Sequence, residues 1–396
     1  MKTKATTDAL TDCVTSHTQK RAKTLKGALY LAGIILGAAL LPLDGALAAT
    51  QYSEPCGTTA IRMKQSCRFE VDEEYKATIA HCINFSDRDE RQACRRKAGK
   101  KQVNAIEECL AQKEARLNVC KLLAEDRYDP DPLTGMSLTG ESIVFVDPDD
   151  IGGTEMPNPY FSLVPGRTQV LRAGEGFEET IVVHVTNQAR EILGVSCRVV
   201  VDIVLLYKNG EYEPVEVTDD WYAQSTTSDI YYCGEIARNF EDGVLVDLDG
   251  SFEAGRDFAK SGILIRAAPS VGEAHRQEFL LGEAEDVIRY LDTMAIPRGK
   301  EGGENTNFPC APMGCVKTKE FIPIEPEAGE FKYFLADTGF VLGVALEDGE
   351  ITGERDELVC VGDSLDILDD PGCEIADVVK LRAQLCRMSP DAFCMN

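Results

Sequence analysis

Residues 56–120 read CGTTAIRMKQSCRFEVDEEYKATIAHCINFSDRDERQACRRKAGKKQVNAIEECLAQKEARLNVC, and the six cysteines in this stretch form a palindrome. The pairs Cys56 with Cys120, Cys67 with Cys109, and Cys82 with Cys94 each have residue numbers summing to 176. An antiparallel helical hairpin folded near residue 88 requires this symmetry, because each residue of one arm faces its mirror image on the other. The spacings of 11 and 15 residues are close to whole turns at about 3.6 residues per turn, so successive cysteines share a face. Val71, Tyr75 and Ile79 on one arm, and Ala98, Ile106 and Leu117 on the other, follow the same stripe. The spacing predicts a disulfide-stapled hairpin over residues 49–128 with those three bridges and a polar tip at Asp87-Arg88-Asp89. Two helices alone bury little, so cross-links of about 2–4 kcal/mol each are what would hold them. A zinc or copper site is the weaker reading of these thiols, since no Cys-x-x-Cys occurs. His81 reads as tip surface.

Upstream, Lys20, Arg21, Lys23 and Lys26 precede an uncharged run from Gly27 to Leu43, and Ala46-Leu47-Ala48 has small-x-small spacing. This predicts a signal peptide over residues 1–48 cleaved after Ala48, in preference to a single-span anchor, for which the run is short. The expectation is an exported protein, periplasmic or extracellular, with no membrane span after cleavage. Beyond residue 48 the chain keeps 35 basic and 64 acidic residues, a net charge of −29, and 14 cysteines. An even cysteine count suits a fully paired protein of an oxidising compartment. The charge argues against generic binding to nucleic acid or anionic membrane. It is unevenly spread: residues 49–128 carry +2 and the remainder −31. The run Arg95-Arg96-Lys97-Ala98-Gly99-Lys100-Lys101 reads as a solvated helix face or a docking patch for an acidic partner.

Downstream, Pro130 and Pro132 end the helical pattern, and residues 129–158 read as an acidic Pro/Gly linker. Residues 159–357 change to period two. Cys197, Val199, Val201, Ile203 and Leu205 point to one side, and Asn209-Gly210, Asp249-Gly250 and Asp348-Gly349 are hairpin turns between apolar runs. About ten strands joined by tight turns define an antiparallel meander that curls into a half-barrel, barrel or sandwich, making the whole chain α+β. Residues 358–396 form a Cys-rich segment with a short helix. Cys310 and Cys315 flank a turn and can close a small loop. Cys197 and Cys233 lie on strands that both neighbour the 211–222 strand, so their pairing needs curvature. Cys360, Cys373, Cys386 and Cys394 allow three connectivities.

Four ordered stretches, Asn158-Pro159-Tyr160-Phe161-Ser162-Leu163-Val164-Pro165-Gly166, Arg190-Glu191-Ile192-Leu193-Gly194-Val195, Asp220-Trp221-Tyr222-Ala223-Gln224 and Gly282-Glu283-Ala284-Glu285-Asp286, carry a resemblance. Over about residues 158–346 the chain resembles a family of secreted bacterial proteins without an established activity. The resemblance implies an exported β domain and transfers no catalytic residues.

No nucleophile elbow, phosphate loop, zinc-protease or dinucleotide motif occurs. His184, between Val183 and Val185, reads as the polar face of a strand, and His275 as strand-entry surface. Trp221 reads as a half-buried strand residue rather than a sugar platform. Asp126, Asp129 and Asp131, and Asp147, Asp149 and Asp150, concentrate oxygen ligands on loops and suggest calcium, although neither set follows the EF-hand loop. With so many acids, catalytic carboxylate pairs cannot be singled out by sequence. The sequence therefore favours a non-enzymatic binding protein, for a hydrophobic ligand on an apolar concave face or for a cationic partner. A carboxylate hydrolase of the envelope and a purely structural exported protein are the alternatives.

Overall fold

The computed structural model describes residues 55–125, 127, 130–137, 142–174, 176–302 and 308–394. The predicted leader, Asp126 and Asp129 lie outside them. Helix α1 (Pro55–Ile83) and helix α2 (Arg88–Leu123) run antiparallel. Asp87 starts α2 by accepting from the amides of Asp89 and Glu90 at 2.8 and 2.9 Å, and Ala124 ends it in the left-handed conformation. The arms are joined by Cys56–Cys120, Cys67–Cys109 and Cys82–Cys94. An ion pair from Lys101 to Glu74 and a 3.1 Å hydrogen bond from Gln102 to Asp72 keep the same register. Few apolar side chains are buried along the pair, and Cys82 and Cys109 are among the most enclosed. The covalent staples thus occupy the place a core would take.

Fifteen strands follow among the described residues: β1 (Thr168–Ala173), β2 (Glu179–Ile192), β3 (Val195–Lys208), β4 (Glu211–Gln224), β5 (Ile230–Glu241), β6 (Val244–Asp247), β7 (Phe252–Glu253), β8 (Lys260–Ile265), β9 (Ala274–Arg276), β10 (Glu278–Phe279), β11 (Val287–Ala295), β12 (Cys315–Phe321), β13 (Ala328–Leu335), β14 (Gly339–Glu347) and β15 (Glu350–Gly362). They form one antiparallel sheet, ordered β10-β8-β5-β4-β3-β2-β1-β15-β14-β13-β12-β11-β9, with β6 and β7 also on β5. The two ends of this order, β10 and β9, are separated by a single residue, Gln277, so the sheet is nearly closed into a barrel. Gly262 permits the seam: a Cβ there would lie 2.4–2.5 Å from backbone atoms of Arg276 and Gln277.

The sheet is curved where Cys197 of β3 bonds Cys233 of β5 across the intervening β4. Two flat strand spacings would separate them by about 9.6 Å, whereas their Cα atoms are 6.6 Å apart. A bulge between Trp221 and Tyr222 brings them together over Ala223. The remaining bridges are Cys310–Cys315, Cys360–Cys373 and Cys386–Cys394.

Odd-numbered β3 residues face outward, where Val201, Ile203 and Leu205 are covered by Leu381 and Leu385 of helix α3 (Val378–Met388) and by Phe393. His184 lies under the same cover. It is buried, 2.8 Å from the Thr168 hydroxyl and beside the Phe393 ring, and desolvation lowers its pKa to about 4. A strand face read as polar is therefore closed by the C-terminal segment. His275 is likewise inside, 3.3 Å from the Tyr290 hydroxyl, with its pKa lowered to about 3 by burial and the Arg266 charge. Residues 130–137 and 142–158 are strapped to the barrel: Leu133 packs beside Trp221, and Ile151 enters the barrel core. Their polar composition reflects one-turn 3-10 helices capped by Asp131 and Asp147.

No helix among the described residues is long and apolar enough to cross a membrane.

Candidate functional site

The inner face of the barrel divides into two zones. One is filled by rings, with Tyr222, Tyr232, Phe252, Tyr290 and Phe334 in a single cluster with Val185 and Val200. The other is acidic. On β3, β4 and β5, Val200 faces Asp220, which faces Glu235, and Asp202 faces Thr218 one step along. On the opposing wall, Glu320 of β12 faces Glu330 of β13, and Lys332 faces Gly343 of β14, which faces Asp356 of β15. Curling brings these walls within electrostatic reach. Asp202 is influenced by Asp356 and Lys332, although β3 and β13 are five steps apart in the sheet.

Protein surrounds these carboxyls on most sides, yet Asp202, Glu235, Glu330 and Asp356 keep partial contact with solvent. Desolvation is the largest influence on each and favours the neutral acid. It pushes Asp220 up to about 7 and Glu330 up to about 8, and raises Asp202, Glu235 and Asp356. The geometry also requires protons here. The Tyr232 hydroxyl donates toward both Asp220 and Glu235, the latter at 2.9 Å, and its single proton cannot fully serve two ionised carboxylates at once. Lys332 is the cation within the cluster, 2.7 Å from Glu320 and 3.5 Å from Glu330. Gly343 leaves room for Glu330, whose Oε1 would lie 2.1 Å from a Cβ at that position. Asp202 Oδ1 is buried without a hydrogen-bond partner among the described residues.

The predicted calcium loops are engaged otherwise. Asp131 accepts from Leu133 N, Ser261 N and Ser261 Oγ at 2.9–3.1 Å. Asp147 caps Asp149, and Asp149 pairs with the buried Arg198 at 2.8 Å. Asp150 lies in the same turn. No group of three or more metal-ligating side chains is assembled among the described residues. Trp221 is buried, with the Arg190 guanidinium 4.0 Å above its ring. The acidic cluster escaped sequence reasoning because its members come from separate strands, each an ordinary alternating acid.

The arrangement defines an α+β protein with a stapled helical hairpin and an almost closed antiparallel barrel carrying an acid-lined inner face. No family model and no curated protein matches the chain. Among solved structures, the crystal structure of a "putative exported protein with YmcC-like fold" from Bacteroides fragilis aligns at 12% identity over 52% of this chain and 98% of that chain, with a TM-score of 0.28.

Proposed function

We propose that this is an exported binding protein, periplasmic or extracellular, that receives a cationic group of its ligand or partner on the inner face of the barrel. The observation that carries the reading is the convergence of Asp202, Glu320, Glu330 and Asp356 around Lys332, with Asp220 beside Asp202, Glu235 beside Asp220, and an unpartnered carboxylate oxygen on Asp202. An incoming cation favours the ionised form of every one of these acids, so binding expels protons. Seven disulfides fit an oxidising compartment, and the leader supplies the route. The motifs behind the resemblance to secreted bacterial proteins supply part of the site, since Asp220 belongs to one and Asp286, whose charge acts on Glu235 and Lys332, to another. We propose membership of that family on the same ground.

The test is titration calorimetry with spermidine and with a short oligoarginine, against neutral analogues, in two buffers of different ionisation enthalpy. Saturable binding with proton release, weakened at least about tenfold by Asp202→Asn combined with Glu330→Gln, is expected. Absence of cation binding, or binding indifferent to those changes, would refute it.

Asp220 and Glu235 also support a second reading, a carboxylate hydrolase, because they are close and retain a proton. The Tyr232 hydroxyl occupies the gap between them, where a substrate oxygen or water would have to sit. Hydrolysis of any glycoside that is abolished by Glu235→Gln would reverse the preference.

A further inference from the structure

The hairpin is seated on the barrel by its open half. Met63 lies against Gly282, Gln112 donates to Ile324 O at 2.9 Å, and Arg116 and Glu125 form buried ion pairs with Glu285 and Arg276. Toward the tip, no hydrogen bond or ion pair joins residues 64–107 to the barrel among the described residues, and only Cys82 and Ala98 are buried there. Glu108 is still close enough to the barrel to feel Glu325 and Glu327. From Glu108 back to Arg88, α2 runs about 30 Å at about 1.5 Å per residue. That is nearly four times the screening length of about 8 Å at physiological ionic strength. The tip is therefore electrically separate from the acidic barrel.

Its composition is the opposite of the barrel's. Residues 76–101 hold eight basic and three acidic side chains, net +5, in a chain that carries −29 beyond residue 48. Lys76, Arg88, Arg95, Arg96, Lys97 and Lys100 are exposed and form no ion pair among the described residues. Arg96 is two positions from Cys94, about 200° round the helix, and so faces away from α1, with Lys100 one turn further on. Arg91 has a different task. It donates to the carbonyls of Phe85 and Ser86 at 2.6 and 2.8 Å, and with the Asp87 cap and the Cys82–Cys94 bridge it fixes the connecting loop. The fixed loop presents Ile83 and Phe85, 56% and 45% exposed, at the end of the arm.

Single exposed apolar residues are ordinary. Two of them at the apex of a rigid arm, ringed by unpaired cations, match both halves of a charged lipid–water interface. A soluble acidic partner would use the cations and leave both apolar side chains in water. We propose that the hairpin tip docks on the anionic surface of a membrane, with Ile83 and Phe85 entering the headgroup layer and the surrounding cations meeting lipid phosphates. The acidic barrel then stands off beyond the reach of its own repulsion. The expectation drawn from total charge fails here because it treats tip and barrel as one body. Nothing in this docking depends on the acidic inner face.

Flotation of the exported, oxidised protein with vesicles tests it, using phosphatidylcholine alone and an equal mixture of phosphatidylcholine and phosphatidylglycerol. Wild type is expected to float with the mixed vesicles in preference to the neutral ones, and added salt should release it. Arg96→Glu combined with Lys100→Glu is expected to weaken partitioning at least about tenfold, since each cation near such a surface is worth about fivefold. Ile83→Ser combined with Phe85→Ser, which leaves the charge untouched, is expected to weaken it by about tenfold. All four side chains are exposed, so far-ultraviolet circular dichroism and intact disulfides should match wild type in both variants. Asp202→Asn with Glu330→Gln should float like wild type, which separates this surface from the cation site. Equal binding to neutral vesicles, wild-type flotation of either tip variant, or capture by polyglutamate of a protein that ignores vesicles would overturn the proposal.

Discussion

Replacing Asp220 by Asn should flatten the dependence of stability on pH. Asp220 is 6% exposed, and its carboxyl titrates at about 7 in the folded protein against 3.8 when free. A raised carboxyl pKa means that the folded state holds the proton more tightly than the unfolded state. The resulting stability is complete below the unfolded pKa and is lost as pH rises through the folded one. The full difference of about 3 pH units is worth on the order of 4 kcal/mol, more than half of which is lost between about pH 5 and pH 8. Asn keeps an acceptor for the Tyr232 hydroxyl and cannot ionise, so the variant should lack this part of the loss. Urea unfolding with disulfides intact, measured across that range for both proteins, gives the difference directly. Equal pH slopes in the two proteins, or a wild type that gains stability as pH rises, would refute the reasoning.

Three further outcomes are expected. Glu285→Gln strands the buried Arg116 and should cost about 3–5 kcal/mol, whereas Arg116→Met combined with Glu285→Leu should recover most of it; urea midpoints decide this. Removing the middle staple with Cys67→Ala and Cys109→Ala should lower hairpin stability by about 2–4 kcal/mol and appear as proteolysis within α1 and α2 before the barrel is cut. Gly343→Ala puts a methyl where Glu330 Oε1 lies and should cost about 1–3 kcal/mol by thermal melting; it should also weaken cation binding.

The hairpin was legible because its constraint is arithmetic: six cysteines with a common sum fix the register of two helices. The meander was legible through alternation and Asn-Gly or Asp-Gly turns, yet β15 was not, because Glu350, Glu354, Arg355, Asp356 and Glu357 hide its period behind charge. Burial of Glu357 and pairing of β15 with β1 depend on a partner about 190 residues away, which local pattern does not encode. The acidic site was illegible for a related reason. Asp202 and Lys332 become neighbours only when the sheet curls, and curvature rests on a bulge at Trp221 and a glycine at 262 that do not announce themselves in a single strand.

The order of the disulfides along the chain sets two different demands on oxidation. From Cys197 onward every bridge joins a cysteine to the next one in the chain, 197 to 233, 310 to 315, 360 to 373 and 386 to 394. A chain emerging amino end first and oxidised on arrival would make all four correctly. The hairpin bridges are nested, and the same vectorial chemistry would join Cys56 to Cys67 and Cys109 to Cys120, a non-native set among the about fifteen connectivities of six cysteines. Native pairing there requires both helices to form before oxidation, or later shuffling by thiolate attack. The stapled hairpin is thus the part whose pairing depends on helix formation or on thiol shuffling, and the barrel behind it is not.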